Sequence, residues 1–260
     1  MKRKLDWSLK SKGIEIVFED DELIVLNKPA PFLVIPDRYD KSIPDILSIL
    51  NGELGKVFVV HRIDKETSGL IVFAKTPGSH QDLSRQFEAH SVDKTYEALV
   101  HGYPEKTDGQ IDLPIREKHA GIMAVDRKKG KPSVTRYRVL NEYEGYAHLE
   151  VRPETGRMHQ IRVHLKAIGL PILCDPVYGN GEGFFLSQNK AKYKVKEDDE
   201  ENGEKPVLAR TALHAARLEF EHPVARKLVT YECGLPKDMR SVLRMLRKYR
   251  PGKNETAGER

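Results

Sequence analysis

The densest group of ionisable side chains lies between two apolar runs. His61-Arg62-Ile63-Asp64-Lys65-Glu66-Thr67-Ser68-Gly69-Leu70 follows the apolar residues 57–60 and leads into the apolar residues 70–74. Arg62 and Asp64 are two apart, so in an extended chain they face the same side. A guanidinium beside a carboxylate favours the ionised acid. Such a carboxylate suits a nucleophile or a stabiliser of positive charge, not a general acid. Thr67-Ser68-Gly69 reads as a turn that holds the Asp64 loop. The plain alternative is a polar connection in which Asp64 only caps a turn, and this segment alone leaves both readings open.

A second segment, Thr155-Gly156-Arg157-Met158-His159-Gln160-Ile161-Arg162-Val163-His164-Leu165, has helical spacing. Met158, Ile161, Leu165 and Ile168 form an apolar stripe at intervals of three, four and three, and Gly169 stops it, which predicts a helix over residues 157–168. Arg162 falls beside the stripe, so it is expected partly buried and in need of a carboxylate. The helix start offers free N–H groups to phosphate. His159 and His164 are five apart, a poor spacing for one metal on one helix, so no metal site is expected. His164 reads as a surface or capping group. Tyr96, in Lys94-Thr95-Tyr96-Glu97, is a lone aromatic in a strand and by itself reads as packing.

Short elements must position these groups. Residues 14–18, 22–26, 57–60, 70–74, 95–100, 134–140, 147–151, 218–220 and 228–233 are apolar runs, several rich in Val, Ile, Tyr and Phe, and they read as strands. Helices are fewer. Residues 43–50 follow Ser42 as a cap, 79–89 place Leu83 and Phe87 four apart, and 239–249 carry Met239, Val242, Leu243 and Leu246 at helical spacing. Many strands without a regular strand–helix alternation predict an α+β fold around a largely antiparallel sheet.

Composition sets the remaining limits. The chain has 260 residues, 39% hydrophobic and 32% charged, enough for a core without staples. Two cysteines, Cys174 and Cys233, exclude a disulfide scaffold, and no Cys-x-x-Cys pair suggests zinc. The basic start Met1-Lys2-Arg3-Lys4 has no apolar stretch behind it and does not read as a signal peptide, and no run reaches the ~18 residues of a membrane helix. The expected place is the reducing cytoplasm. The net charge of +5 resides in residues 237–260, with eight basic and three acidic side chains, while the rest balances. A basic tail on a neutral body hints at a polyanionic partner. Residues 187–205, where Lys190, Lys192, Lys194 and Lys196 precede an acidic run, read as a solvated, mobile insertion, and residues 251–260 are expected to fray.

Five blocks together resemble the RluA-type RNA pseudouridine synthases. They are the run from Val25 through Lys28-Pro29 to Pro36; His61-Arg62-Ile63-Asp64 with Thr67-Ser68-Gly69-Leu70; Lys94-Thr95-Tyr96 with Ala98, Val100 and Gly102; Thr155-Gly156-Arg157 through Gly169 with Asp175-Pro176 and Tyr178-Gly179; and Leu213-His214-Ala215 with Leu218, Phe220 and His222-Pro223. They stand in the family's order. Ile35, Pro31, Met158 and Cys174 depart from residues common in the family, which weakens a subfamily assignment without touching the reacting groups.

The resemblance implies the family's fold, a mixed, largely antiparallel sheet with flanking helices and a central RNA-binding cleft. It implies a short N-terminal extension over residues 1–20, a catalytic domain over 21–236 and a basic helix and tail over 237–260. It implies an isomerase that turns uridine of structured ribosomal or transfer RNA into pseudouridine, with no cofactor, no metal and no required protein partner, acting as a monomer. Asp64 would be the essential carboxylate, Arg162 its pairing guanidinium, and Tyr96 the ring that stacks on uracil. Arg62, His61, Arg157, His159 and Lys28 would bind substrate. Arg62 would attend the flipped-out base. Phosphate contacts would also come from Lys166 and the tail arginines, and specificity from loops such as residues 116–132. Two other classes compete: an RNA-binding protein that keeps the fold without catalysis, and a hydrolase pairing Asp64 with Glu66 or His61.

Overall fold

The structure, a computed structural model, describes residues 8–190, 193 and 203–252. Most of the charged run expected as a mobile insertion, and residues 253–260, lie outside the described residues. The chain forms two compact units. The first runs to Tyr96 and adds His214–Gly234; the second comprises Glu97–Leu213 and the chain from Leu235. The range expected as one catalytic domain thus contributes to both, and the C-terminal helix belongs to the second.

In the first unit, β1 (Glu15–Glu19), β2 (Leu23–Lys28), β4 (Ser68–Ala74) and β11 (Leu213–Glu221) lie side by side in that order. β3 (Phe58–Val59) pairs with β4 and β12 (Leu228–Glu232) with β11. Only β4–β11 is parallel among these pairs, so the sheet is mixed and largely antiparallel as predicted. Within the range 1–20 expected as an extension, Glu15–Glu19 supply its edge strand β1.

Side-chain alternation splits β2 and β4 between two cores. Ile24, Leu26, Ile71 and Phe73 join one cluster, which Ile46 and Leu50 of α1 (Ile46–Leu54) complete. Leu23, Val25, Leu70, Val72 and Ala74 join the other, with Leu83 and Phe87 of α2 (Pro77–Glu88). Both faces are covered, which is why these strands read as continuous apolar runs. The helix placed over residues 43–50 starts later: Asp45, not Ser42, caps it, its carboxylate accepting the Ser48 N–H at 2.9 Å. Pro44 restricts Ile43 to extended backbone, so the helix cannot begin there.

Gly69 joins the polar loop to the parallel pairing. Ser68 and Gly69 stand opposite His214 and Ala215. Gly69 has φ +110°, and a Cβ there would lie 2.2 Å from the Ala215 carbonyl oxygen. Only glycine permits so close an approach of β4 and β11.

β5 (Asp93–His101) belongs to the first unit up to Tyr96 and to the second thereafter. The second unit pairs β9 (Val134–Tyr143) with β10 (Tyr146–Pro153) and with β6 (Asp108–Asp112). β7 (Ile115–His119) and β8 (Ile122–Val125) form a separate hairpin. Residues 116–132, expected as a loop, therefore hold most of a hairpin. Its turn, Ala120-Gly121, has positive φ at both positions, the geometry of a tight two-residue connection. β7 exposes every residue but Ile115, so it lacks the apolar signal by which strands are read.

Two helices complete this unit, α3 (Gln160–Ala167) and α4 (Lys237–Tyr249). α3 starts three residues later than its apolar stripe predicts. His159 takes the left-handed conformation, φ 53°, and ends the non-helical approach. Gln160 then ties that approach to β9. Its Oε1 accepts the Thr155 hydroxyl and the Arg157 N–H, while Nε2 donates to the Val134 carbonyl at 2.9 Å and to Thr135 Oγ1 at 3.0 Å. Among the described residues, no helix is long and apolar enough to cross a membrane.

Candidate active site

In the first unit, Asp64 opens a turn closed by the Thr67 N–H on its carbonyl at 3.1 Å. The loop is pinned from beneath. Lys28, at the end of β2, is fully buried, and its ammonium donates to the carbonyls of Pro29, Phe32 and Lys65 at 3.1, 2.9 and 3.1 Å. An ammonium has three protons, and these three carbonyls match them. The Phe32 N–H returns a bond to Lys65 O at 3.0 Å. Lys28, expected at the substrate, thus stitches its own loop to the Asp64 loop. Arg62 is exposed, and Asp64 is partly exposed beside it in sequence.

His61 is a wall of this loop. Its ring stacks on Phe87 with centroids 4.4 Å apart, and its Nε2 accepts the Val72 N–H of β4 at 3.1 Å. Burial, helped by the Lys94 charge, pushes its pKa down to about 3. His61 is therefore neutral near pH 7 and poorly suited as a general base. Tyr96 packs against the core cluster that holds Ile63 and Phe73. Burial, and then the charge of Asp64, raise its pKa well above the usual phenol range. The phenol keeps its proton and feels the Asp64 carboxylate. Ser68 Oγ, at the start of β4, meets His214 Nδ1 at 2.9 Å and so links the same loop to β11.

In the second unit, Arg162 is 5% exposed, and its guanidinium is gripped side-on by Asp175. Nε donates to Oδ2 at 2.7 Å and Nη2 to Oδ1 at 2.9 Å. Asp175 Oδ1 also accepts the N–H groups of Val177 and Tyr178, each at 2.9 Å. Burial pushes the Asp175 carboxyl up, but the Arg162 bonds and charge and these two N–H groups outweigh it and hold its pKa below the usual carboxylate range. The guanidinium lies 4.9 Å from the Tyr178 ring centroid. The Tyr178 hydroxyl accepts the Met123 N–H and meets His159 Nδ1, both at 2.9 Å. Asp175 and Tyr178 thus hold Arg162 and His159 in place.

Arg157 is partly exposed on the approach to α3, and its Nε is buried without a hydrogen-bond partner. His164 corrects its surface reading. It is fully buried, with Nδ1 at 2.9 Å from Thr135 Oγ1 and Nε2 at 2.9 Å from the Leu113 carbonyl. Helix α3 buries Gln160–Leu165 all round, so its stripe marks only part of the buried surface. Asp175, Tyr178, Gln160 and His214 are supports that spacing did not single out; their signal lay in the motif blocks alone. Among the described residues, no cluster of three or more His, Cys, Asp or Glu suits a metal ion.

Known proteins resemble this chain over most of its length. The family described as RNA pseudouridylate synthase matches residues 22–167. The ribosomal large subunit pseudouridine synthase D of Zymomonas mobilis is 38% identical over 90% of this chain and 73% of its own length. That of Pseudomonas aeruginosa is 36% identical over 94% of this chain and 75% of its own. Human RNA Pseudouridylate Synthase Domain Containing 4 superposes with a TM-score of 0.69 at 26% identity, covering 95% of this chain and 98% of that one.

Proposed function

Because the chain belongs to the RNA pseudouridylate synthase family, we propose that it isomerises uridines of large-subunit ribosomal RNA, the RNA in the names of its relatives. The observation that carries the reading is the first unit's arrangement: a partly exposed Asp64 on a loop pinned by Lys28, beside a protonated Tyr96 that senses its charge. In the reaction the bond between uracil N1 and the ribose breaks, the base turns, and C5 takes the place of N1. Nothing is oxidised and no water is consumed, so the reaction asks for no cofactor.

Asp64 meets the positive charge that develops on the sugar. Adding to the anomeric carbon and removing the neighbouring ribose proton both require an ionised carboxylate held at the sugar. Tyr96 offers its ring to the uracil and a retained phenol proton to the step that restores the product. Arg162 is the guanidinium of the catalytic set, kept oriented by Asp175. Arg157 and His159, both partly exposed at the start of α3, are assigned to the substrate, while Lys28 and His61 shape the Asp64 loop. The enzyme acts as a monomer in the cytoplasm.

One observation weakens a competing class. A hydrolase using His61 as base is disfavoured by that ring's low pKa and its bond to Val72.

The test is tritium release from unmodified transcripts labelled at C5 of uracil, because C5 loses its hydrogen when it becomes the attachment point. Release from large-subunit ribosomal RNA and not from transfer RNA is the expected result. Release from transfer RNA alone would overturn the substrate assignment, and free uracil would overturn the isomerase.

Arg62 leads to a separate expectation. It is exposed and two residues from Asp64 in sequence, and we assign it to filling the space of an extruded base or to holding a phosphate. Arg62→Ala should lower turnover on a folded stem-loop about tenfold or more, and on an unstructured oligonucleotide much less, since extrusion costs a few kcal/mol only in the stacked substrate. Equal losses on the two substrates would remove Arg62 from base flipping.

A further inference from the structure

Helix α4 presents a line of cations that the reacting groups do not use. Met239, Val242 and Leu246 are buried on one side. Lys237, Arg240, Arg244, Arg247 and Lys248 are all exposed and fall within about 100° of arc on the opposite side. The ridge is about 16 Å long. Asp238 is the helix's only acid, and it is committed to Arg210, whose Nε and Nη2 donate to it at 2.8 and 3.0 Å. Among the described residues, none of the five cations forms an ion pair. Arg240 donates to the Leu235 carbonyl, and Lys248 lies over the Tyr249 ring.

Like charges at intervals of three and four destabilise a helix. Here the helix is held by other means. The Arg210–Asp238 pair fixes its first turn. Past its end, the Glu144 N–H donates to the Arg250 carbonyl at 3.0 Å. Gly252 then lies so close to the Glu142 carbonyl that a Cβ would sit 2.2 Å from that oxygen. An unneutralised ridge on a clamped helix is a surface prepared for a polyanion.

We propose that the ridge formed by Lys237, Arg240, Arg244, Arg247 and Lys248 binds the phosphate backbone of the RNA substrate away from the target nucleotide. This rests on the reading of the substrate as folded ribosomal RNA. The ridge suits backbone and not bases: Tyr249 is half-buried, so no exposed aromatic ring interleaves the cations as a stacking platform would require. It therefore adds affinity and orientation without choosing the sequence.

The test compares the full chain with a variant carrying Gln at all five positions, each binding a folded large-subunit ribosomal RNA transcript across a salt series. Each phosphate contact contributes ~0.7–0.9 to the slope of log affinity against log salt, so losing five should flatten the slope by about 3.5 to 4.5. Affinity near physiological salt should fall by at least about tenfold. Binding is read directly, so the result stands whether or not the RNA is converted, and a failure of the isomerase reading would show only in tritium release. Glutamine has nearly the helix propensity of lysine and arginine, so the fold should survive. If thermal melting shows that it does not, the double variant Arg240→Gln, Arg244→Gln decides, with a slope change of about 1.5. An unchanged slope and affinity would overturn the proposal. So would unchanged RNA binding together with lost binding to phosphatidylserine vesicles, which would assign the ridge to a lipid surface.

Discussion

Asp64→Asn should end tritium release, with a loss of at least about 10³-fold, while RNA affinity stays within a few-fold of wild type. The substitution keeps the side chain's shape and removes its charge. The bonds that build the loop are main-chain ones, from Thr67 N–H to Asp64 O and from Lys28 Nζ and Phe32 N–H to Lys65 O, so the loop should keep its form. Neither route open to the carboxylate survives, because a neutral amide neither adds to the anomeric carbon nor removes a ribose proton. Retained release would remove Asp64 from the chemistry. Lost release with lost RNA binding would point to a loop that collapsed, and Asp64→Glu, which keeps the charge on a longer stem, would then separate collapse from chemistry.

Much of this arrangement was legible in the sequence, and the rest was not for identifiable reasons. The strands of the first unit were readable because β2 and β4 are covered on both faces and so carry unbroken apolar runs over residues 23–26 and 70–74. The hairpin of β7 and β8 was not, because one exposed strand offers little apolar contrast and its turn lacks the usual Asn-Gly signal. The start of α3 was misplaced because a left-handed His159 and a Gln160 side chain bonding backward set it, and neither has a periodicity. Arg162's need for a carboxylate was legible from its place beside a stripe. Asp175 as its partner was not, since the two are 13 residues apart and meet only through the turn after α3. Lys28 shows the limit most plainly. A lysine in a motif reads as a substrate contact, and only its complete burial and three carbonyl partners reveal a loop support.

Asp175→Ala should destabilise the protein by about 3–5 kcal/mol, because it removes the two bonds by which a buried carboxylate grips the buried Arg162 guanidinium. Arg162 and Asp175 are 5% and 0% exposed, so water replaces little of the lost contact. The pair also sets a pH dependence. The Asp175 pKa is lowered in the folded chain, so its contribution is present above the ordinary carboxylate range and is lost as pH falls through the folded value. In a comparison of thermal melting between about pH 7 and about pH 2, which reaches well below the ordinary carboxylate range, the gap between wild type and Asp175→Ala should therefore narrow toward acid. A pH-independent gap would show that the ion pair is not what the variant lost. Stability and catalysis then separate in a double variant. Replacing both partners with apolar residues of similar size, Arg162→Met with Asp175→Leu, removes the buried charges together and should recover part of the lost stability, the Val177 and Tyr178 N–H groups still lacking their acceptor. Tritium release should stay lost, because the guanidinium itself is absent. Recovery of both would mean that the pair only fills space; recovery of stability alone is expected if Asp175 serves to aim Arg162.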